Sequence, residues 1–102
     1  MRNRLLGLSL VLLVACGGHK LTFRSACESV GNAVCTRVAQ CSPPGVTNCA
    51  QTFVQTCCAA TANCDAEITD QGAQAAIDKC VADEKVLDCA SVENGDLPAS
   101  CQ

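Results

Sequence analysis

The sequence predicts a small all-α domain: a disulfide-stapled helical bundle built from an antiparallel helical hairpin, a third helix and an irregular C-terminal tail. Three observations predict it. Apolar residues recur at intervals of three or four from Ala26 onward, as on a helix with one buried face, and no stretch alternates like a half-buried strand. Eleven of the 102 residues are cysteine, and ten of these, Cys27 to Cys101, form an even set able to close as five bridges. Large apolar side chains are scarce, with two Phe and no Trp or Tyr, so much of the 49 % hydrophobic content is Ala and Cys. So thin a core needs covalent support, and each disulfide typically supplies about 2–4 kcal/mol. That in turn implies an oxidising compartment.

The first element is an export signal. Arg2 and Arg4 precede an apolar run from Leu5 to Ala15, shorter than the roughly 20 residues that span a bilayer. The run ends in Leu13-Val14-Ala15-Cys16, which resembles the bacterial lipobox. In that family a dedicated peptidase cuts before the cysteine, and its sulfur receives a diacylglycerol. The resemblance implies a signal peptide at 1–15, a lipidated Cys16 with a flexible tether at 16–22, and a disulfide-rich helical domain at 23–102. By analogy with bacterial sorting, Gly17 reads as an outer-membrane address and palmitate as part of the anchor. An ordinary secretory cut after Gly17 is the competing reading, with Ala15 and Gly17 as the small residues it needs. Either outcome removes or caps Cys16, and the ten-cysteine set survives.

Within the domain, Ser25-Ala26-Cys27-Glu28 fits a capping box with Ser25 as N-cap. Ala26, Val30, Val34, Val38 and Cys41 then form a helical stripe, and Pro43 ends the helix near Cys41. Helix two is expected to start at Thr47 or Asn48, with Gln51 completing a box for the latter. Cys49, Phe53 and Cys57 share one of its faces, and Cys58 points elsewhere. A loop runs from Ala59 to Asp70, which caps a third helix bearing Ala73, Ala76, Ile77, Cys80 and Val81 on one side. Glu84 falls in that apolar stripe, so a break near Asp83 is expected. A short segment from Lys85 to Val92 follows, Asn94-Gly95 marks a turn, and Pro98 keeps the tail irregular.

Facing residues of an antiparallel hairpin lie symmetrically about its turn. Cys41–Cys49, Cys35–Cys57 and Cys27–Cys64 are all centred near Pro43-Pro44-Gly45, and leave Cys58–Cys80 and Cys89–Cys101. A rival scheme, Cys27–Cys57 with Cys35–Cys49, is centred on Ser42, ahead of the prolines. The first scheme is the expectation. It makes Ser42, Pro43, Pro44, Gly45, Val46, Thr47 and Asn48 a clamped loop, closed by Cys41–Cys49 and stiffened by two prolines, and this loop is the candidate recognition element.

The lipobox, the spaced helical cysteines and the tail Leu97-Pro98-Ala99-Ser100-Cys101 together resemble small cysteine-rich bacterial lipoproteins of unassigned function. The order of cysteines is also similar to plant-type lipid-transfer proteins, but the C-x-C of that family is missing. The paired spacings share only their engineering with twin-cysteine helical hairpins of the mitochondrial intermembrane space.

Catalysis is not expected. The one histidine, His19, lies in the tether, away from any packed site. No C-x-x-C, glycine-rich phosphate loop or calcium-loop pattern occurs, so no metal or cofactor is expected. Two phenylalanines make a poor platform for stacking nucleic-acid bases. Charge is uneven, +2 from Cys16 to Cys64 and −7 from Asp65 to Gln102, and such an acidic surface repels nucleic acid and keeps the domain soluble. The functional expectation is a membrane-anchored envelope lipoprotein acting as a non-enzymatic structural or protein-binding module, with an envelope protein as partner. The alternatives are a carrier of a small hydrophobic ligand, which needs a lined apolar cavity of several hundred Å³, or a secreted protease-inhibitor-like module.

Overall fold

The computed structural model describes residues 20–102. Residues 1–19 lie outside the described residues, and with them the expected signal peptide, Cys16 and most of the tether. The domain is all-α, as the helical stripes predict. Helix α1 spans Phe23–Cys41, α2 Cys49–Ala59, α3 Ala73–Lys85 and α4 Cys89–Glu93, and a short 3-10 turn covers Ala99–Cys101. The long helix α1 is the spine, touching α2, α3 and α4 along its length.

Helix α1 starts one turn earlier than expected. Thr22, not Ser25, is the N-cap: its hydroxyl accepts from the Ser25 backbone N–H, and the Ser25 hydroxyl accepts from the Thr22 N–H. Ser25 therefore fills the return position expected of Glu28. The reason lies outside the helix. Leu21 O accepts from Ile68 N–H and Ala66 O from Phe23 N–H, an isolated antiparallel bridge that fixes Thr22 as extended backbone and makes it the last residue before the first turn. At the far end, Ser42 caps α1 as Pro43 requires.

The two long helices of the hairpin meet where a small residue faces a large one. Gly31 is buried in α1, and a Cβ built on it would lie 2.8 Å from the Phe53 ring of α2. One turn to either side, Cys27 is bonded to Cys57 and Cys35 to Cys49. The three facing pairs keep one antiparallel register, with successive members four positions apart on both helices. Glycine here buys close approach of the backbones at the cost of helix propensity.

This overturns the expected bridge scheme. The structure forms the rival pairs Cys27–Cys57 and Cys35–Cys49, with Cys41–Cys89, Cys58–Cys64 and Cys80–Cys101. Cys41–Cys49, Cys35–Cys57, Cys27–Cys64, Cys58–Cys80 and Cys89–Cys101 do not form. The expectation failed because it put the hairpin's centre at the prolines. The 42–48 segment instead turns back along α1: Gly45 N–H donates to Ser42 O at 2.8 Å, and a Gly45 Cβ would lie 3.0 Å from the Ala39 Cβ. Its positive φ of 90° suits glycine. The last turn of α1 thus projects past the start of α2, and Cys41 is carried away from Cys49 to α4.

Helix α3 packs on α1 and does not break at Asp83. Asp83 turns outward, accepting from Ser100 Oγ at 2.7 Å and from Lys79 Nζ at 3.2 Å, while Glu84 turns inward and is 2 % exposed. Asp70 does not cap this helix directly; its carboxylate accepts from Gly72 N–H, and Gly72 is the N-cap. Asn48 likewise makes no side-chain cap for α2, so the box with Gln51 is absent. The expected segment after α3 is helix α4, capped by Asp88, whose carboxylate accepts from the Ser91 N–H and hydroxyl. Gly95 takes a positive φ at the expected turn, and Cys80–Cys101 ties the tail to α3.

Among the described residues the buried hydrophobic side chains are Cys27, Ala33, Cys64 and Cys80, so three of the four are cystine halves. Their interior is chiefly sulfur and alanine, with no large aliphatic cluster at its centre. Gly31→Ala should lower stability by about 1–3 kcal/mol, because the added methyl overpacks against Phe53 between two fixed bridges. Pairing it with Phe53→Leu should restore part of that loss in a denaturant melt; equal losses in the single and double variants would deny the contact.

Candidate functional site

The candidate recognition loop is present but held differently from the expectation. Ser42, Pro43, Pro44, Val46, Thr47 and Asn48 are exposed, and Val46 is 64 % exposed. Cys41 and Cys49, at its ends, are each bonded, but to Cys89 on α4 and Cys35 on α1. The loop is therefore anchored at both ends without being closed on itself. Gly45 packs on α1, and Asn48 adopts left-handed backbone at φ 57°. Ordering of this kind lowers the entropy lost when a partner binds.

A second feature was not legible in the sequence. An apolar groove of about 270 Å³ runs between the hairpin and the tail, walled by Phe23, Val30, Phe53 and Leu97 and floored by the Cys27–Cys57 and Cys80–Cys101 bridges. Both phenylalanines of the chain line it, and Phe23 and Leu97 at its rim are each 39 % exposed. Sequence reading placed Phe53 on the cysteine face of α2, but nothing in the periodicity brings Leu97 to it. The larger clefts have mixed polar and apolar walls. One of about 380 Å³ lies between α1 and α2, lined by Arg24, Glu28, Asn32, Gln51 and Gln55 among others.

Next to the groove two bridges abut. The vicinal residues Cys57 and Cys58 diverge as their helical positions require, Cys57 to Cys27 on α1 and Cys58 to Cys64 in the following loop. The loop returns because Arg24 N–H donates to Cys64 O at 2.7 Å and the Arg24 guanidinium bonds the Asp65 carboxylate at 2.7 Å. The sulfurs of Cys27, Cys58 and Cys64 consequently lie within 4.8 Å of one another. All three are bonded as cystines, and a metal ligand must be a thiolate, so this trio holds no metal while the bridges stand.

Ionisable groups are mostly paired at the surface. The Arg24 guanidinium lowers the Asp65 carboxyl below its usual range through a hydrogen bond and charge. Ser100 and then Lys79 do the same for Asp83, and Ser91 for Asp88. Glu84 is the exception. Desolvation raises its pKa, the Arg37 guanidinium on α1 opposes this only in part, and its Oε2 has no hydrogen-bond partner. Arg37 is committed elsewhere, donating from Nε to Leu87 O at 2.7 Å and to the Gln40 side chain.

Among the described residues, no helix is long and apolar enough to cross a membrane. Five bridges among ten cysteines mark an extracytoplasmic protein. Compared with known protein families, curated proteins and solved structures, the chain matches none.

Glu84 sets a pH dependence. A carboxyl whose pKa is raised on folding favours the folded state when protonated, and that contribution is lost as pH rises from its ordinary value through its folded one. Glu84→Met should therefore stabilise the domain at pH 7 by about 1 kcal/mol, by removing a buried, unpartnered carboxylate. The gain should shrink as pH falls through the raised folded value towards 4.5, the ordinary value for this group, and be largely gone below it. Urea midpoints at pH 7 and pH 3.5 check this, and a gain that does not change with pH would assign the effect to packing.

Proposed function

We propose that this protein is an exported lipoprotein, anchored to the outer membrane through a lipid on Cys16, whose domain is a non-enzymatic binding module of the cell envelope. The observation that carries the reading is the anchoring of the exposed 42–48 loop at both ends, by Cys41–Cys89 and Cys35–Cys49, to two different helices. A loop fixed in this way presents Val46 and the two prolines as a ready surface for an envelope protein. The Leu13-Val14-Ala15-Cys16 motif supplies the lipidation site and Gly17 the address, and two or more acyl chains hold a protein durably on a bilayer. A short tether then keeps the domain close to the membrane.

The apolar groove favours a second reading, a carrier of a small hydrophobic ligand. At about 270 Å³ it sits just below the range of ordinary ligand pockets. Its rim is open at Phe23 and Leu97, so a ligand there would stay partly in water. The module reading therefore ranks first.

Intact mass of native, detergent-extracted protein tests the anchor. The expected result is a chain beginning at Cys16 with a lipid-sized increment, gaining ten hydrogens on reduction as its five bridges open. A chain beginning elsewhere without that increment would overturn it. In the same gentle preparation, a small apolar molecule at one equivalent would move the reading to the carrier.

A further inference from the structure

We infer that the abutting bridges Cys27–Cys57 and Cys58–Cys64 form a thiol–disulfide exchange site, whose substrate is an extracytoplasmic dithiol and whose product is a loosened domain with Cys27 bonded to Cys64 and a vicinal thiol pair at Cys57 and Cys58. The inference rests on the three sulfurs of Cys27, Cys58 and Cys64 lying within 4.8 Å of one another. It stands whether or not the chain carries a lipid.

Within the Cys58–Cys64 bridge, Cys64 is 8 % exposed and Cys58 half-buried, so an incoming thiolate reaches Cys58 Sγ before Cys64 Sγ. The Cys58–Cys64 bridge also spans a sequence separation of only 6, so opening it releases the least chain. One thiolate of the dithiol attacks Cys58 Sγ, forming a mixed disulfide and expelling Cys64 as thiolate. That thiolate is held beside Cys27, because the Cys64 carbonyl accepts from Arg24 N–H, one helical turn before Cys27. It attacks Cys27 Sγ, forms Cys27–Cys64 and expels Cys57 as thiolate. The second thiol of the reductant then attacks its own sulfur in the mixed disulfide, closing a cyclic disulfide and freeing Cys58. Two electrons and two protons pass from the dithiol to the protein, and the protons end on Cys57 and Cys58.

The consequence is mechanical. Cys27–Cys57 pins the C-terminal half of α2 to α1 and floors the apolar groove, whereas Cys35–Cys49 pins only its start. Exchange transfers the staple on α1 from α2 to the loop. The end of α2 is released, and the wall of the groove carrying Phe53 and Thr61 is free to move.

Graded dithiothreitol treatment of the native protein, followed by acid quench, alkylation and peptide mapping, tests this. The first two-thiol species should carry label on Cys57 and Cys58, hold a Cys27–Cys64 bridge, and retain Cys35–Cys49, Cys41–Cys89 and Cys80–Cys101. Label on Cys58 and Cys64 with Cys27–Cys57 intact would overturn the relay. So would first opening of another bridge, or loss of all five together. Cys58→Ser gives a second readout, since it leaves one thiol. Exchange should divide that thiol between Cys64 and Cys57, and a thiol that stays wholly on Cys64 would contradict the proposal.

Discussion

Everything in this domain hangs on one close contact, the Phe53 ring lying on Gly31 between two bridges placed one turn above and one turn below it. The contact demands glycine on α1 and sets the distance between the helices. The bridges Cys27–Cys57 and Cys35–Cys49 then fix their register. Neither part suffices alone. A single aromatic ring on a glycine is a small patch of buried surface, and two bridges without a fitting surface between them would leave the helices free to roll. Together they make a rigid two-helix plate from 19 and 11 residues.

Of the remaining elements, α3 is held on α1 by packing with no bridge between them, and the others are tied on by cystines. Helix α4 is tied to the end of α1 by Cys41–Cys89, and the tail to α3 by Cys80–Cys101. Helix α3 carries a buried carboxylate against α1, a cost that a domain relying on an apolar interior would be poorly placed to carry. Chains of this size bury little surface relative to their length, and cross-links offset the deficit by restricting the unfolded state. The same economy leaves Phe23, Val30, Phe53 and Leu97 around a groove, because no larger side chains are present to fill it.

The all-α class, the end of α1 at Cys41 and the turn at Gly95 were readable because each depends on local chemistry: period, proline and glycine. The same holds for Cys49, Phe53 and Cys57 sharing a face. The true pairing of Cys27 with Cys57 was also visible as a symmetric alternative. What hid it was the path of residues 42–48 back along α1, a matter of Gly45 meeting Ala39 that no spacing rule encodes. The cap at Thr22 was illegible because it is imposed by backbone pairing with residues 66–68, far off in sequence. Glu84 looked like a helix breaker when judged by hydropathy alone; the structure buries it and turns Asp83 outward to Ser100. The apolar groove needs Leu97 and Phe23 in one wall, and the tail that carries Leu97 is held to α3 by Cys80–Cys101 and by Ser100 on Asp83.

The central claim is that cystines, and not an apolar core, hold this fold. Far-ultraviolet circular dichroism of residues 20–102 during thermal melting, with and without a reductant strong enough to open every bridge, tests it most directly. The account predicts a cooperative helical transition when oxidised, and weak, non-cooperative helix at 25 °C when reduced. A reduced chain that kept native helix content and melted cooperatively would contradict it.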